Sequence, residues 1–173
     1  QELHRHPEVS NKEHQTSKRI ENFIKSFLPD EIIDLSKTGK AFVFKGKEAG
    51  KTIIFRAELD ALPIQEKSSL SYASARQNVS HACGHDGHMA ILAGLAQKVA
   101  SDPPKYGRVV LLFQPAEEVE QGAKEVIEDA AFATIQPDHI FALHNIPGID
   151  KHHIVIKKGS FSAASKGMTV KLY

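Results

Sequence analysis

Arg108-Val109-Val110-Leu111-Leu112-Phe113-Gln114 is a nearly continuous apolar run of strand length. A strand with one wet face alternates apolar and polar residues, so an unbroken run is expected where both faces of a sheet are covered. Helical patterns flank it. Upstream, Met89, Leu92, Leu95, Ala96 and Val99 recur at helical spacing from about Asp86 until Pro103-Pro104 stops them. Downstream, Val119, Ala123, Val126 and Ile127 predict the inner stripe of a helix over about 118–130.

Further out, residues 139–144 read as another buried strand. Residues 41–45 and 52–57 read as two strands joined by a Gly- and Lys-rich turn, which predicts a hairpin. Ser10 with Glu13 reads as a capping box for a helix whose stripe is Ile20, Phe23, Ile24 and Phe27, ending by Pro29. A polar loop containing Pro63 runs from Asp60 to Ser80. Strands alternating with helices predict an α/β fold with a mixed, largely parallel sheet flanked by helices.

The chain has 173 residues, enough to bury a sizeable core in one domain, and a formal net charge of +1. That balance gives no electrostatic reason to expect a nucleic acid or an anionic membrane as partner. No apolar run is long enough to span a bilayer, and Gln1-Glu2-Leu3-His4-Arg5-His6-Pro7 lacks the apolar core of a signal peptide. The single cysteine cannot form an intrachain disulfide, which fits a reducing, cytoplasmic compartment. Met168, Val170 and Leu172 alternate with Thr169, Lys171 and Tyr173 as in a strand without a partner, so a fragment of a longer polypeptide is expected.

Chemistry concentrates at His81-Ala82-Cys83-Gly84-His85-Asp86-Gly87-His88, at Gln114-Pro115-Ala116-Glu117-Glu118 and at Ala142-Leu143-His144-Asn145. Thiol, imidazole and carboxylate together are the donors of a transition-metal site. A glutamate pair adds one group to hold metal and one to move protons. Each signal has a plainer reading when taken singly. Cys83 and His85 could be a buried thiol and a surface histidine, Glu117-Glu118 the acidic first turn of a helix, and His144 a core histidine. Their clustering argues against these, as does position. Asp60, Glu117-Glu118 and His144 follow predicted strands and the Cys83 cluster precedes a helix, where open α/β sheets bind ligands. His139, His152 and His153 lack such a context and are assigned to surface or structure, and His4, His6 and His14 to the surface. Gly46 to Thr52 has a phosphate loop's residue types but is one residue short and precedes a strand. No H-E-x-x-H, G-x-S-x-G or P-C-x-x-C occurs.

Together with His4-Arg5-His6-Pro7-Glu8 and Arg56-Ala57-Glu58-Leu59-Asp60-Ala61-Leu62-Pro63, these stretches resemble the M20 metallopeptidase family. The match is to its branch of amidohydrolases acting on N-acyl amino acids. The resemblance implies a zinc-exopeptidase-like catalytic domain holding up to two divalent ions, Zn, Mn, Co or Ni. Cys83, His85, Glu118 and His144 are the implied metal ligands, with Cys83 bridging. Glu117 is the implied general base that activates water, and Asp60 the implied carboxylate that orients a ligand. Asp86 and His88 belong to the motif without being direct ligands. Glu58 stands where other branches carry a histidine.

The resemblance further implies that 1–158 is the N-terminal part of an incomplete catalytic domain and that 159–173 leads into an absent lid or dimerisation domain. The full-length enzyme would then be a homodimer acting on a small N-acyl amino acid, and this fragment alone inactive. Two other readings remain open: an amidase with Cys83 as nucleophile activated by His85 or His88, and a non-catalytic metal-binding module, against which the intact Glu117 speaks.

Overall fold

The computed structural model describes residues 1–161, 168 and 170–172. The chain runs α1 (Glu2–Arg5), α2 (His14–Lys25), β1 (Glu31–Leu35), β2 (Gly39–Lys45), β3 (Glu48–Glu58), α3 (His85–Ser101), β4 (Tyr106–Gln114), α4 (Gly122–Glu128), a 3-10 turn (Phe132–Thr134) and β5 (His139–Ala142). The strands form one sheet in the order β1-β2-β4-β3-β5. β3 is parallel to β4 and β5, while β2 is antiparallel to β1 and β4. Only β2 therefore opposes the rest, and the sheet is mixed and largely parallel as expected.

The apolar run at 108–114 is the centre of this sheet. Its Leu111 and Phe113 face one side with Phe42, Phe44 and Ala57, where Ile20 and Ile24 of α2 and Met89, Leu92, Ala96 and Val99 of α3 cover them. Its Val110 and Leu112 face the other side with Ala41, Val43 and Ile54, under Val126 of α4 and Ile135. Phe42 and Phe113 meet edge to face at 5.7 Å. Fully burying a side chain of this size is worth roughly 1.5–3 kcal/mol, so the doubly covered strand occupies the middle.

That placement overturns the hairpin expected between residues 41–45 and 52–57. β4 inserts between them, and Val110 is in register with both Val43 and Ile54. The glycines of the supposed turn serve another purpose. A Cβ on Gly46 or Gly50 would come within 2.8 Å of the backbone of the segment that leads into β4. Glycine there lets β4 enter between two strands that are close in sequence. The hairpin partner of β2 is β1, with Leu35 opposite Gly39.

Three further expectations change. α4 spans only Gly122–Glu128, and Val126 is its buried apolar side chain, while Val119, Ala123 and Ile127 are exposed. The backbone before it turns at Glu120, with φ 57°. β5 is an exposed edge strand and not a buried one; Phe141 stacks on Phe55 but stays 52% exposed. The capping box does not form. Glu13 is buried and its carboxylate accepts from the amides of Asn11 and Ala116 and from Thr38 Oγ1, at 2.8–3.0 Å. Ser10 Oγ instead donates to Asp60 Oδ2 at 2.7 Å. α3 forms where its periodicity places it. In the alternating segment at 168–173, Thr169 and Tyr173 lie outside the described residues, as do 162–167, while Met168, Val170 and Leu172 are exposed and not assigned to a strand. No helix among the described residues is long and apolar enough to cross a membrane.

The loop from Asp60 to Ser80 is tied down by α1. Leu62 bridges Ser80, and the Arg5 carbonyl accepts the Ala75 amide at 2.9 Å. His4, expected on the surface, is largely enclosed. Its Nδ1 lies 2.8 Å from Asp86 Oδ2, its Nε2 lies 3.1 Å from Glu66 Oε1, and Tyr72 packs on it edge-on. Hydrogen bonds from Ser68, from the Ser74 amide and from His4 bring the Glu66 pKa from its ordinary 4.5 down to about 2. A depressed carboxylate stabilises the fold above its unfolded pKa and loses that contribution as pH falls through its folded value. Glu66→Gln should therefore flatten the loss of stability between about pH 5 and pH 2. Urea midpoints of the metal-free protein across that range test this, and a slope equal to that of the unsubstituted chain would refute it.

Candidate metal centre

Three neighbouring strands that run the same way deliver their following residues to one place. β3 leads to Asp60, β4 to Glu117 and Glu118, and β5 to His144. α3 begins there with His85, preceded by Cys83 and by Gly84 as its N-cap. Gly84 has φ +93°, and a Cβ on it would fall 2.6 Å from Asn145 Oδ1. Glycine is needed there for the left-handed backbone and for the close approach.

The sequence-predicted site residues converge. The donor atoms of Cys83, His85 and His144 lie within 4.8 Å of one another, and so do those of His85, Glu117 and Glu118. Cys83 Sγ is 3.4 Å from His144 Nε2. His85 Nε2 is 3.7 Å from Glu117 Oε2 and 3.8 Å from Glu118 Oε1. Glu117 is the wet member of the pair, its side chain 39% exposed.

Asp60 organises the arrangement from beneath. His85 Nδ1–H donates to the Asp60 carbonyl at 2.8 Å, which leaves Nε2 as the lone-pair side facing the glutamates. Asp60 Oδ2 accepts from Ser10 and, at 2.9 Å, from the Glu118 amide. Burial opposes ionisation of Asp60, but its bonds to His85, Ser10 and the amides of Glu118 and Glu117 outweigh that and lower its pKa.

Among the buried side-chain atoms of the described residues that have no partner within the protein are His85 Nε2 and Glu118 Oε1. Stranding such groups costs roughly 1–3 kcal/mol each. They face each other with Cys83 and His144 alongside, and the set of sulfur, two nitrogens and a carboxylate oxygen fits a zinc-like divalent ion. Electrostatics agrees. Burial, then the charges of Glu118, Glu117 and Glu58, push the Cys83 thiol up to about 12. Burial also raises Glu118, against the pull of His85 and Cys83. A site that opposes its own negative charge in this way is what a cation relieves.

Other residues join the site without having been assigned to it from sequence. Glu58 and His88 are buried side by side, and His88 also reaches Asn145. Glu13 and Ser10 brace the turn after β4 and Asp60. The signal for Ser10 and Glu13 was their capping-box spacing, which alone does not distinguish a buried brace from a helix cap. His81 is buried with neither ring nitrogen partnered, and burial pushes its pKa down to about 4.

Known proteins resemble this chain in sequence and in fold. Residues 54–171 match the model of peptidase family M20/M25/M40. The chain is 40% identical to hippurate hydrolase of Campylobacter jejuni over 172 residues, covering 99% of this chain and 44% of that protein. It is 42% identical to N-acetyldiaminopimelate deacetylase of Listeria monocytogenes over 160 residues, covering 91% and 43%. It is 41% identical to N-acetyl-L-cysteine deacetylase of Bacillus subtilis over 176 residues, covering 98% and 41%. It thus spans less than half the length of these relatives. Among solved structures, a Bacillus subtilis protein described as a dinuclear metal-binding peptidase from the M20 family superposes with a TM-score of 0.79 at 41% identity. That match covers 85% of this chain and 41% of the other.

The backbone at Gly84 yields a direct test. Gly84→Ala should destabilise the metal-free protein by at least about 1–2 kcal/mol, the cost of a left-handed alanine, with the contact to Asn145 added. Gly94→Ala, inside α3 where the new methyl meets nothing within 4 Å, should be neutral or stabilising by up to about 1 kcal/mol. Urea unfolding of both variants measures the contrast, and equal stabilities would refute it.

Proposed function

The chain belongs to peptidase family M20/M25/M40, and from that premise we propose that it carries the metal-holding part of a hydrolase that cleaves the amide bond of small N-acyl amino acids. The observation that carries the proposal is the pair of unpartnered buried donors, His85 Nε2 and Glu118 Oε1, turned toward each other beside Cys83 and His144. The substrate class is supported by the relatives, one named for hippurate and the others for N-acetyl amino acids.

In this reading Cys83, His85, Glu118 and His144 would hold up to two divalent ions. A bound divalent ion supplies a Lewis acid for the scissile carbonyl and lowers the pKa of water toward 7. Glu117 takes the proton of the attacking water as oxygen bonds to the carbonyl carbon. It then delivers that proton to the amide nitrogen as the C–N bond breaks, giving a carboxylate and a free amino acid. Its exposure beside the ligands suits a group that must meet both water and substrate. Asp60 keeps His85 in the tautomer that presents Nε2.

The Cys83-nucleophile reading fares worse. A thiol held near 12 is protonated at neutral pH. His85 is turned to Asp60 through Nδ1, and His88 is occupied by Glu58 and Asn145.

Metal analysis and turnover of the intact protein test the assignment. Glu117→Gln should lower turnover on an N-acyl amino acid panel by about 10²–10⁴-fold with metal content unchanged, whereas Glu118→Gln should lose metal. Exchanged phenotypes would reverse the two roles. Full metal stoichiometry in a Cys83→Ala, His85→Ala double variant would overturn the ligand set, and no hydrolysis of any panel member with any of the four metals would overturn the substrate class.

A further inference from the structure

His144 is the least firmly mounted member of the proposed ligand set. Cys83 and His85 stand at the start of a 17-residue helix, and Glu118 follows the central strand. His144 follows a four-residue edge strand whose residues are all exposed, and it opens an irregular segment that is itself exposed. A ligand on such a segment needs its ring fixed from elsewhere.

A continuous polar chain starts in the sheet and ends at that ring. Arg56 Nε–H donates to Gln114 Oε1 at 2.9 Å, and Arg56 Nη1–H donates to Glu58 Oε1 at 2.6 Å. Glu58 Oε2 accepts from His88 Nδ1–H at 2.9 Å. His88 Nε2 lies 2.8 Å from Asn145 Oδ1 and 3.4 Å from the Asn145 amide nitrogen. The Asn145 carbonyl accepts from His144 Nδ1–H at 2.8 Å, which turns His144 Nε2 toward Cys83. The His88 ring also packs edge-on against His144, centroids 4.9 Å apart.

Glu58, His85 and His88 bring ligand-type atoms within 4.8 Å of one another. They do not make a second metal site, because both oxygens of Glu58 and both nitrogens of His88 are engaged along the chain. Burial resists ionisation of Glu58, but His88 and Arg56 overcome it and lower its pKa. Glu58 is thus a fixed anion anchored to the sheet.

The geometry points to His88 and Asn145 as positioning residues that aim His144 at the metal, with Glu58 as their anchor. The inference rests on the ligand set proposed above. It gives Glu58 a definite role, which is to hold a ligand's support instead of binding metal.

Zinc affinity of the intact, metal-stripped protein, measured by competition with a chromophoric chelator, tests it. Asn145→Ala removes an exposed carboxamide, so the fold should survive, and zinc should bind about 10–100-fold more weakly. His88→Gln, at a buried position, should weaken zinc in the same range wherever it folds. Asn145→Asp, which keeps an oxygen toward His88, should restore affinity close to the unsubstituted protein. The deciding variant is Asn145→Ala in a His144→Ala background, where the loss should vanish because the ring it positions is gone. A loss that persists there, or unchanged affinity in Asn145→Ala alone, overturns the positioning role. Unchanged zinc affinity in His144→Ala alone overturns the ligand set itself, which separates the two failures.

Discussion

Asp60 ties together segments of this structure that lie far apart in sequence. Its carbonyl fixes the His85 ring, and its carboxylate gathers the Ser10 hydroxyl and the Glu118 amide. Four segments distant in sequence meet there: the stretch before α2, the end of β3, the start of α3 and the turn after β4. Two of these bonds do two jobs: the His85 ring satisfies the buried Asp60 carbonyl and the Glu118 amide satisfies its carboxylate, and each bond also sets a candidate ligand. An ionised carboxylate out of water is tolerable only when it is bonded in this way. The requirement to satisfy Asp60 and the requirement to orient His85 and Glu118 are thus one constraint.

Above that anion the balance of charge is unfinished. Arg56 and His88 answer Glu58, and hydrogen bonds answer Asp60. Glu118 and Cys83 have no comparable support and are pushed toward their neutral forms. The same burial therefore acts in opposite senses a few ångströms apart, depending on whether donors are supplied. A divalent ion is the simplest remedy, since one charge centre can serve thiolate, carboxylate and two imidazoles together. The orphaned atoms and the raised thiol are two views of one deficit.

Which parts of this can be read from sequence follows from the range of the forces involved. β4 and α3 are legible because burial on two faces, or on one helical stripe, writes itself into local spacing. The convergence of Cys83, His85, Glu117, Glu118 and His144 is legible because residues after parallel strands share one end of the sheet. The expected hairpin fails because nearness along the chain is not pairing. The glycines that suggest a turn are there for the passage of the strand that divides it. Ser10 and Glu13 have the spacing of a capping box, yet both bond to residues far along the chain, at Asp60 and at Ala116. His4 reads as superficial for the same reason: its partners are 62 and 82 positions away. Periodicity carries no information about such bonds. β5 reads as buried by composition and lies at an edge, since strand order is a property of the whole sheet.

The division between local and distant forces also orders the site itself. His85 opens α3, Cys83 precedes it by two residues and Glu118 follows β4, so their geometry is largely set by the folding of the sheet and α3. His144 arrives on the edge strand, and its orientation depends on a chain of hydrogen bonds that begins two strands away at Gln114. The tighter the sheet holds Arg56 and Glu58, the less freedom remains for His88 and Asn145, and the less entropy His144 has left to lose when a ligand bond forms. Rigidity is thereby transferred from the buried strands to the exposed candidate ligand His144. A polar relay can do this where packing cannot, because the ring must remain accessible on its metal-facing side while being fixed on the other.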